Sequence, residues 1–347
     1  MRIVFLYREV MGYTLATLRS LTEYGAEIHV VHWDHVKLTP YKVTPVPDVA
    51  FYQRSKFSLS SLRALVSKVN PDILVISGWR DPAYLRIGLQ LRSSGVPVVV
   101  GLDGQWTGSL KQRLLSFTSN FGLLRLFFSH AWVAGVYQFE YARKFGFKKT
   151  EILQDLYCAD IKLFEKSYLP PEPSKRFPRR LLFVGRLEPV KGLRLLARAW
   201  HAIQPSANGW ELCVIGNGSL RSELKNIPGI LCKDFLQPHE LAIEFKKSSF
   251  FIIPSVEEPW GVVVHEACSA GVPILTSDTV GSASTFVISG FNGFHFRSDD
   301  LNDLILKLRK VFSLSQSELV KMGENSYFLS RRITPQTSAK NLLSLLC

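Results

Sequence analysis

Short unbroken apolar runs alternate, through the first half of the chain, with longer stretches that read as helices. RIVFLY at Arg2–Tyr7 is rich in strand formers. A helix-like stretch opens at Gly12 and ends at Gly25, and EIHVVHW at Glu27–Trp33 predicts the next strand. A helix over Ser58–Asn70 is stopped by Pro71. ILVISGW, a helix near Pro82–Ser94, PVVVGLD at Pro97–Asp103 and a longer helical segment over Gly108–Phe128 follow. AWVAG, a helix to Gly146 and EILQDL complete the half. Strands that are apolar throughout are buried on both faces. With helices between them, they predict a parallel sheet covered on both sides.

SYLPPEPSKRFPRR at Ser167–Arg180 breaks this rhythm with four prolines and several charges, and reads as a linker. The alternation then restarts. RLLFVG, ELCVIG, FFIIPS and PILTS read as strands, and LRLLARAWHAI and Gly261–Ala270 as helices. Another helix carries Pro238 in its first turn. GFNG turns into a short strand, and Asp299 or Asp300 caps a helix running to about Phe312. The expected organisation is an N-terminal domain over 1–166, a linker over 167–180 and a C-terminal domain over 181–330, with residues 331–347 beyond. A chain of 347 residues is long enough for two such cores. The expectation is therefore two Rossmann-like α/β domains facing across a cleft, with ligands beyond the carboxyl ends of the strands.

Composition narrows the class. The chain is 46% hydrophobic and 20% charged, which is globular usage. No apolar run reaches the length of a membrane span. The first apolar run is too short for a signal peptide, with Arg8 and Glu9 directly after it. Five scattered cysteines without a C-x-x-C pair suggest neither a zinc site nor a disulfide framework. A cytoplasmic location is expected. The net charge of +13 admits three partners: nucleic acid, anionic lipid or a phosphorylated substrate. No nucleic-acid module signature is present. A phosphate-bearing donor and peripheral contact with the anionic inner face of a membrane remain. Lys111–Phe128 mixes basic and bulky apolar residues; a core-facing helix is the favoured reading and a lipid-touching surface the alternative.

The chemistry concentrates in Phe251–Gly293. A strand ends at a loop bearing Glu257 and Glu258, Gly261 starts a helix, and Glu266 lies inside it. Amides around Trp260, Gly261 and Val262 then sit at a helix N-terminus, which stabilises an anion such as a diphosphate. A carboxylate at Glu258 or Glu266 suits the vicinal hydroxyls of a ribose or hexose. In FVGRLEPVKG, Arg186 and Lys191 flank a loop at a strand's carboxyl end, where two cations can neutralise a leaving diphosphate. VIGNGSLRSEL adds a turn with Gly216 and Gly218. Glu257 reads as loop charge, His265 as a structural hydrogen-bonding group, and His130 and Cys268 as packing. No cluster of carboxylates or histidines suggests a metal.

These three segments, at Val184–Gly192, Gly216–Gly218 and Pro254–Pro273, resemble the retaining glycosyltransferases of the GT-B fold, family four, also called glycosyl transferases group 1. The likeness spans roughly Arg180–Asp300 and is thin in the first half. It implies that Arg186 and Lys191 hold the donor phosphates, that Glu266 bonds the ribose, and that Glu258 contacts the transferred sugar beside the Trp260–Val262 amides. Asp103 matches loosely the strand-end residue that such enzymes place beside the sugar; its other reading is a cap before a helix. Gly12 lets the diphosphate approach, although its loop lacks the family's double glycine. The resemblance further implies a C-terminal helix over Pro335–Leu346 packing on the first domain. Glycosyl transfer to a glycan or lipid-linked acceptor, with no cofactor beyond the nucleotide-sugar donor and within bacterial surface-polysaccharide synthesis, is the leading expectation. A GT-B epimerase or phosphorylase, or a non-catalytic nucleotide-sugar-binding subunit, stays open.

Overall fold

The structure, a computed structural model, describes residues 1–34, 40–120, 123–168, 178–204 and 208–346. The chain divides into two compact units. Unit 1 comprises Met1–Cys158 with Pro335–Cys347, and unit 2 comprises Ala159–Thr334. The predicted linker falls mostly on residues 169–177, which lie outside the described residues.

Unit 1 contains β1 (Arg2–Tyr7), β2 (Glu27–His32), β3 (Val49–Gln53), β4 (Ile73–Ile76), β5 (Val98–Leu102), β6 (His130–Val133) and β7 (Ile152–Leu153). All pair in parallel, in the order β3-β2-β1-β4-β5-β6-β7. Unit 2 contains β8 (Arg180–Val184), β9 (Glu211–Ile215), β10 (Ile230–Lys233), β11 (Phe250–Ile253), β12 (Ile274–Ser277) and β13 (Gly293–Phe296). These too are parallel, in the order β10-β9-β8-β11-β12-β13. Each sheet therefore reverses its winding once, between β1 and β4 and between β8 and β11. Such a switch point leaves a crevice at the carboxyl ends of the two strands.

The central strands fold as their apolar runs predict: every residue of β4, β11 and β12 is buried. β3 and β10 were not legible as strands. Both lie at sheet edges and are only partly buried; their apolar runs, VAFY and ILC, are short, and Pro45 and Pro47 shortly precede β3. Helix Gln316–Ser330 also escaped the sequence reading. It buries Ser326 and Ser330 beside Leu319, Met322 and Leu329, which blurs its apolar stripe. The segment Gly108–Phe128 resolves into helices Leu110–Asn120 and Leu123–Phe127, with residues 121–122 outside the described ones. Asp300, not Asp299, caps helix Leu301–Ser313, accepting the Asp303 amide at 2.9 Å.

The chain's end closes unit 1. Helix Pro335–Leu343 packs on helix Gly12–Glu23, burying Ser338, Ala339 and Leu342. Thr17 Oγ1 lies 3.4 Å from Ser338 Oγ. Asn341 Nδ2 donates to Gln154 O at 3.1 Å and to Asp155 Oδ2 at 3.0 Å.

Candidate active site

Unit 2 gathers most of the sequence-predicted residues at its switch point. Arg186 and Lys191 lie on the connection from β8, and Gly216 follows β9. Glu258, Trp260 and Gly261 lie on the connection from β11, while Val262 and Glu266 belong to helix Val262–Ser269. Two features bring these loops together. Val256 N–H donates to Val190 O at 2.9 Å. Gly192 has φ +69°, and a Cβ there would sit 1.8 Å from Pro254 O, so the loops touch only because that position has no side chain.

The close approach produces an ion pair. Lys191 Nζ donates to Glu258 Oε2 at 2.5 Å, with side chains only 12% and 15% exposed. Lys191, expected to hold phosphate, and Glu258, expected to contact the sugar, thus neutralise each other across the two loops. Gly261 takes φ +84°, and a Cβ on it would come within 2.9 Å of Glu258 Cγ, so this glycine makes room for the carboxylate's stem. The loop after β12, unremarked in the sequence reading, braces the same turn. Gly281 N–H donates to Glu258 O at 3.0 Å, Ser282 N–H to Trp260 O at 2.9 Å and Ser282 Oγ to Gly261 O at 2.8 Å. Its Gly281–Ser282 pair, in the loop shortly after buried β12, was the available signal.

Other groups are left open. The Arg186 guanidinium is exposed and has no bonding partner among the described residues. Trp260 Nε1 is buried without an acceptor among them. The first amides of helix Val262–Ser269 have no preceding carbonyl within the helix. Glu266 is half-buried on the second turn, and none of the described residues bonds its carboxylate. Burial, seconded by the negative charge of Asp160, pushes its pKa up to about 7. Gly216 is differently placed: its amide donates to Lys233 O at 3.1 Å and its carbonyl accepts from Arg221 Nη1 at 3.1 Å.

His265 is structural. Its Nδ1 accepts from the Ala159 amide at 2.9 Å, so Nε2 carries the proton donated to Ser330 O at 2.8 Å. The ring stacks on Phe286 at 4.1 Å. Burial holds the imidazole down at about 4, hence neutral. Glu257 lies exposed on the loop, as its reading as loop charge implies. Among the described residues, no group of His, Cys, Asp and Glu could hold a metal ion.

Unit 1 carries Asp103 directly after β5 and Gly12 at the start of the helix after β1. Tyr157 donates its hydroxyl to Asp103 Oδ2 at 3.4 Å, and the Tyr157 ring tilts onto Tyr13 at 4.7 Å. Asp103 itself reaches solvent. Desolvation by its neighbours nonetheless raises its carboxyl above the ordinary carboxylate range, against the pull of Tyr157, Arg8 and Arg80. Arg8, directly after β1, lies 4.7 Å over the Trp33 ring, with Nε buried and unpartnered among the described residues. Arg8 thus stands at the carboxyl end of β1, beside the unit 1 switch point where ligands of such sheets sit.

Residues 169–328 match the family described as glycosyl transferases group 1. An uncharacterised glycosyltransferase of Methanocaldococcus jannaschii is 32% identical over 122 residues, covering 33% of this chain and 31% of that protein. A D-inositol 3-phosphate glycosyltransferase of Stackebrandtia nassauensis is 32% identical over 200 residues, covering 47% and 44%. The chain spans under half the length of these curated relatives. The fold extends further than the sequence likeness. The structure of Anabaena HepE with UDP and glucose superposes with a TM-score of 0.72 at 16% identity, over 100% of this chain and 99% of that one. Switch-point loops, family match and shared architecture agree: the chain has the GT-B fold, and its residues 169–328 match glycosyl transferases group 1.

Proposed function

We propose that this protein is a retaining glycosyltransferase that moves a hexose from a nucleoside diphosphate donor to a hydroxyl of a glycan or lipid-linked acceptor in bacterial surface-polysaccharide synthesis. One observation carries the reading. At the switch point of unit 2, adjoining loops and the helix that follows carry the Lys191–Glu258 pair, the helix-start amides, and the Arg186 guanidinium and Glu266 carboxylate, neither of which is bonded by another described residue. Phosphate suits Arg186 and the amides before and within helix Val262–Ser269. Lys191 exchanges part of its bond to Glu258 for the diphosphate. Glu258, so released, accepts from sugar hydroxyls, and Glu266 accepts from the ribose. The leaving phosphate takes the proton of the acceptor hydroxyl on the face it departs from, so the anomeric configuration is kept. The protein contributes position and fixed charge, supplied by Arg186 and Lys191 with no metal cofactor. Binding of UDP by a fold relative supports a uridine donor as first probe.

The test follows the first sugar anomer released from UDP-glucose and a panel of other nucleotide sugars by proton NMR, without acceptor. Release of the α-anomer from an α-linked donor is expected. First release of the β-anomer would contradict retention. Tight donor binding with no release, even on adding glycan and lipid-linked acceptors, would indicate a binding subunit.

A further inference from the structure

The segment Lys111–Phe128, favoured above as a core-facing helix, packs Leu115, Leu124, Phe127 and Phe128 on the unit 1 core but turns a second apolar face outward. In helix Leu110–Asn120, Leu110 is 85%, Leu114 67% and Phe117 62% exposed, a spacing that puts all three on one face. Leu123 and Leu126, on the adjoining helix Leu123–Phe127, extend the exposed apolar surface. The helix is nevertheless fixed in place. Leu115 packs against the unit 1 core, Ser116 Oγ donates to Lys144 O at 2.5 Å, and Gln112 Nε2 donates to Gln105 O at 2.8 Å. Exposed leucines gathered on one face of a fixed surface helix are the feature that marks interaction surfaces.

Charge selects the occupant. From Gly104 to Phe139 the sequence contains no Asp or Glu. Lys111 and Arg113 are exposed beside the leucines, and Lys144, 4.9 Å over the Trp106 ring, lies at the same end of the unit. Glu151 reaches this surface only as the partner of Arg125, and Glu140 lies one turn before Lys144, so Lys111 and Arg113 are the cations that border the leucines. Apolar side chains bordered by cations fit the boundary between acyl chains and negatively charged headgroups. We propose that helix Leu110–Asn120 seats this protein on an anionic lipid surface. The contact is peripheral: among the described residues, no helix is long and apolar enough to cross a membrane. The helix follows the connection that begins at Asp103, so a lipid-borne substrate would be presented to the carboxyl ends of the unit 1 strands.

Co-sedimentation of the full chain with phosphatidylcholine vesicles, with and without phosphatidylglycerol, tests this. The wild type is expected to pellet with phosphatidylglycerol vesicles, and less so as salt is raised. Leu110→Ser with Leu114→Ser should cut the partition coefficient by about tenfold or more, because two side chains lose their apolar burial. Lys111→Glu should weaken binding only to the anionic vesicles. All three side chains are exposed, so an unchanged melting temperature is expected and guards against misfolding. Failure of the wild type to bind, or equal binding by the leucine variant, overturns the proposal. So does a wild type that self-associates without vesicles while the leucine variant is monomeric, since the face would then be a protein interface.

Discussion

Glu266 and His265 are sequence neighbours whose pKa values move in opposite directions for one reason: burial disfavours the charged form, which raises an acid and lowers a base. Glu266 titrates at about 7 in the folded protein against an ordinary 4.5. An acid whose folded pKa is raised contributes fully below the unfolded value, and that contribution is lost as pH rises through the folded value. Stability of the ligand-free protein should therefore fall between about pH 4.5 and 7 on account of Glu266. Donated ribose hydroxyls favour the carboxylate, so binding releases its proton. UDP-glucose affinity should rise with pH and level off above about 7, and Glu266→Gln should bind weakly with that dependence gone; calorimetry across pH checks both. An unaltered pH profile in the variant would remove the ribose role. His265 behaves in the reverse sense: its folded pKa of about 4 lies below the ordinary 6.5, so its share of stability is present above 6.5 and lost as pH falls toward 4. Arg186→Ala should cost roughly 1.5–3 kcal/mol of UDP binding, the range for a hydrogen bond to a charged group. Its melting temperature should stay put, because the exposed guanidinium bonds nothing among the described residues.

Elements were read well where burial made the pattern plain. β1, β4, β8 and β11, which frame the two switch points, are apolar runs with little competing interpretation. The edge strands β3 and β10 were lost because their apolar runs, VAFY and ILC, are too short to stand out from loop sequence. The candidate site was legible as residue types and spacing on the loops after β8 and β11. The salt bridge between those loops was not, since 67 positions separate Lys191 from Glu258 and only the parallel pairing of β8 with β11 joins them. Nor does spacing tell which way an amphipathic helix faces, as Leu110 and Leu114 demonstrate. The contact between the loops rests on Gly192. Gly192→Ala should destabilise unit 2 by about 3 kcal/mol, combining a left-handed backbone with a collision against Pro254 O. Chemical denaturation measures it, and a loss below about 1 kcal/mol would mean that the loops part easily.

At the scale of the molecule, the chain leaves unit 1 after Cys158, builds unit 2 and returns to complete unit 1 with helix Pro335–Leu343. Removing Pro335–Cys347 should expose the buried face of helix Gly12–Glu23 and strip hydrogen-exchange protection from that helix, leaving β8–β13 protected. Loss spread equally over both units would show that they do not fold as separate bodies. Both units repeat one winding, yet their switch points carry different chemistry. Unit 2 has Arg186, the Lys191–Glu258 pair and Glu266; unit 1 has Arg8, Asp103 and Tyr157. If unit 2 receives the nucleotide, hydrogen–deuterium exchange with and without saturating UDP should show protection at Gly185–Gly192 and at the start of helix Val262–Ser269, reduced by Arg186→Ala and Glu266→Gln. Saturation by UDP with protection confined to unit 1, or with none at these loops, would contradict it.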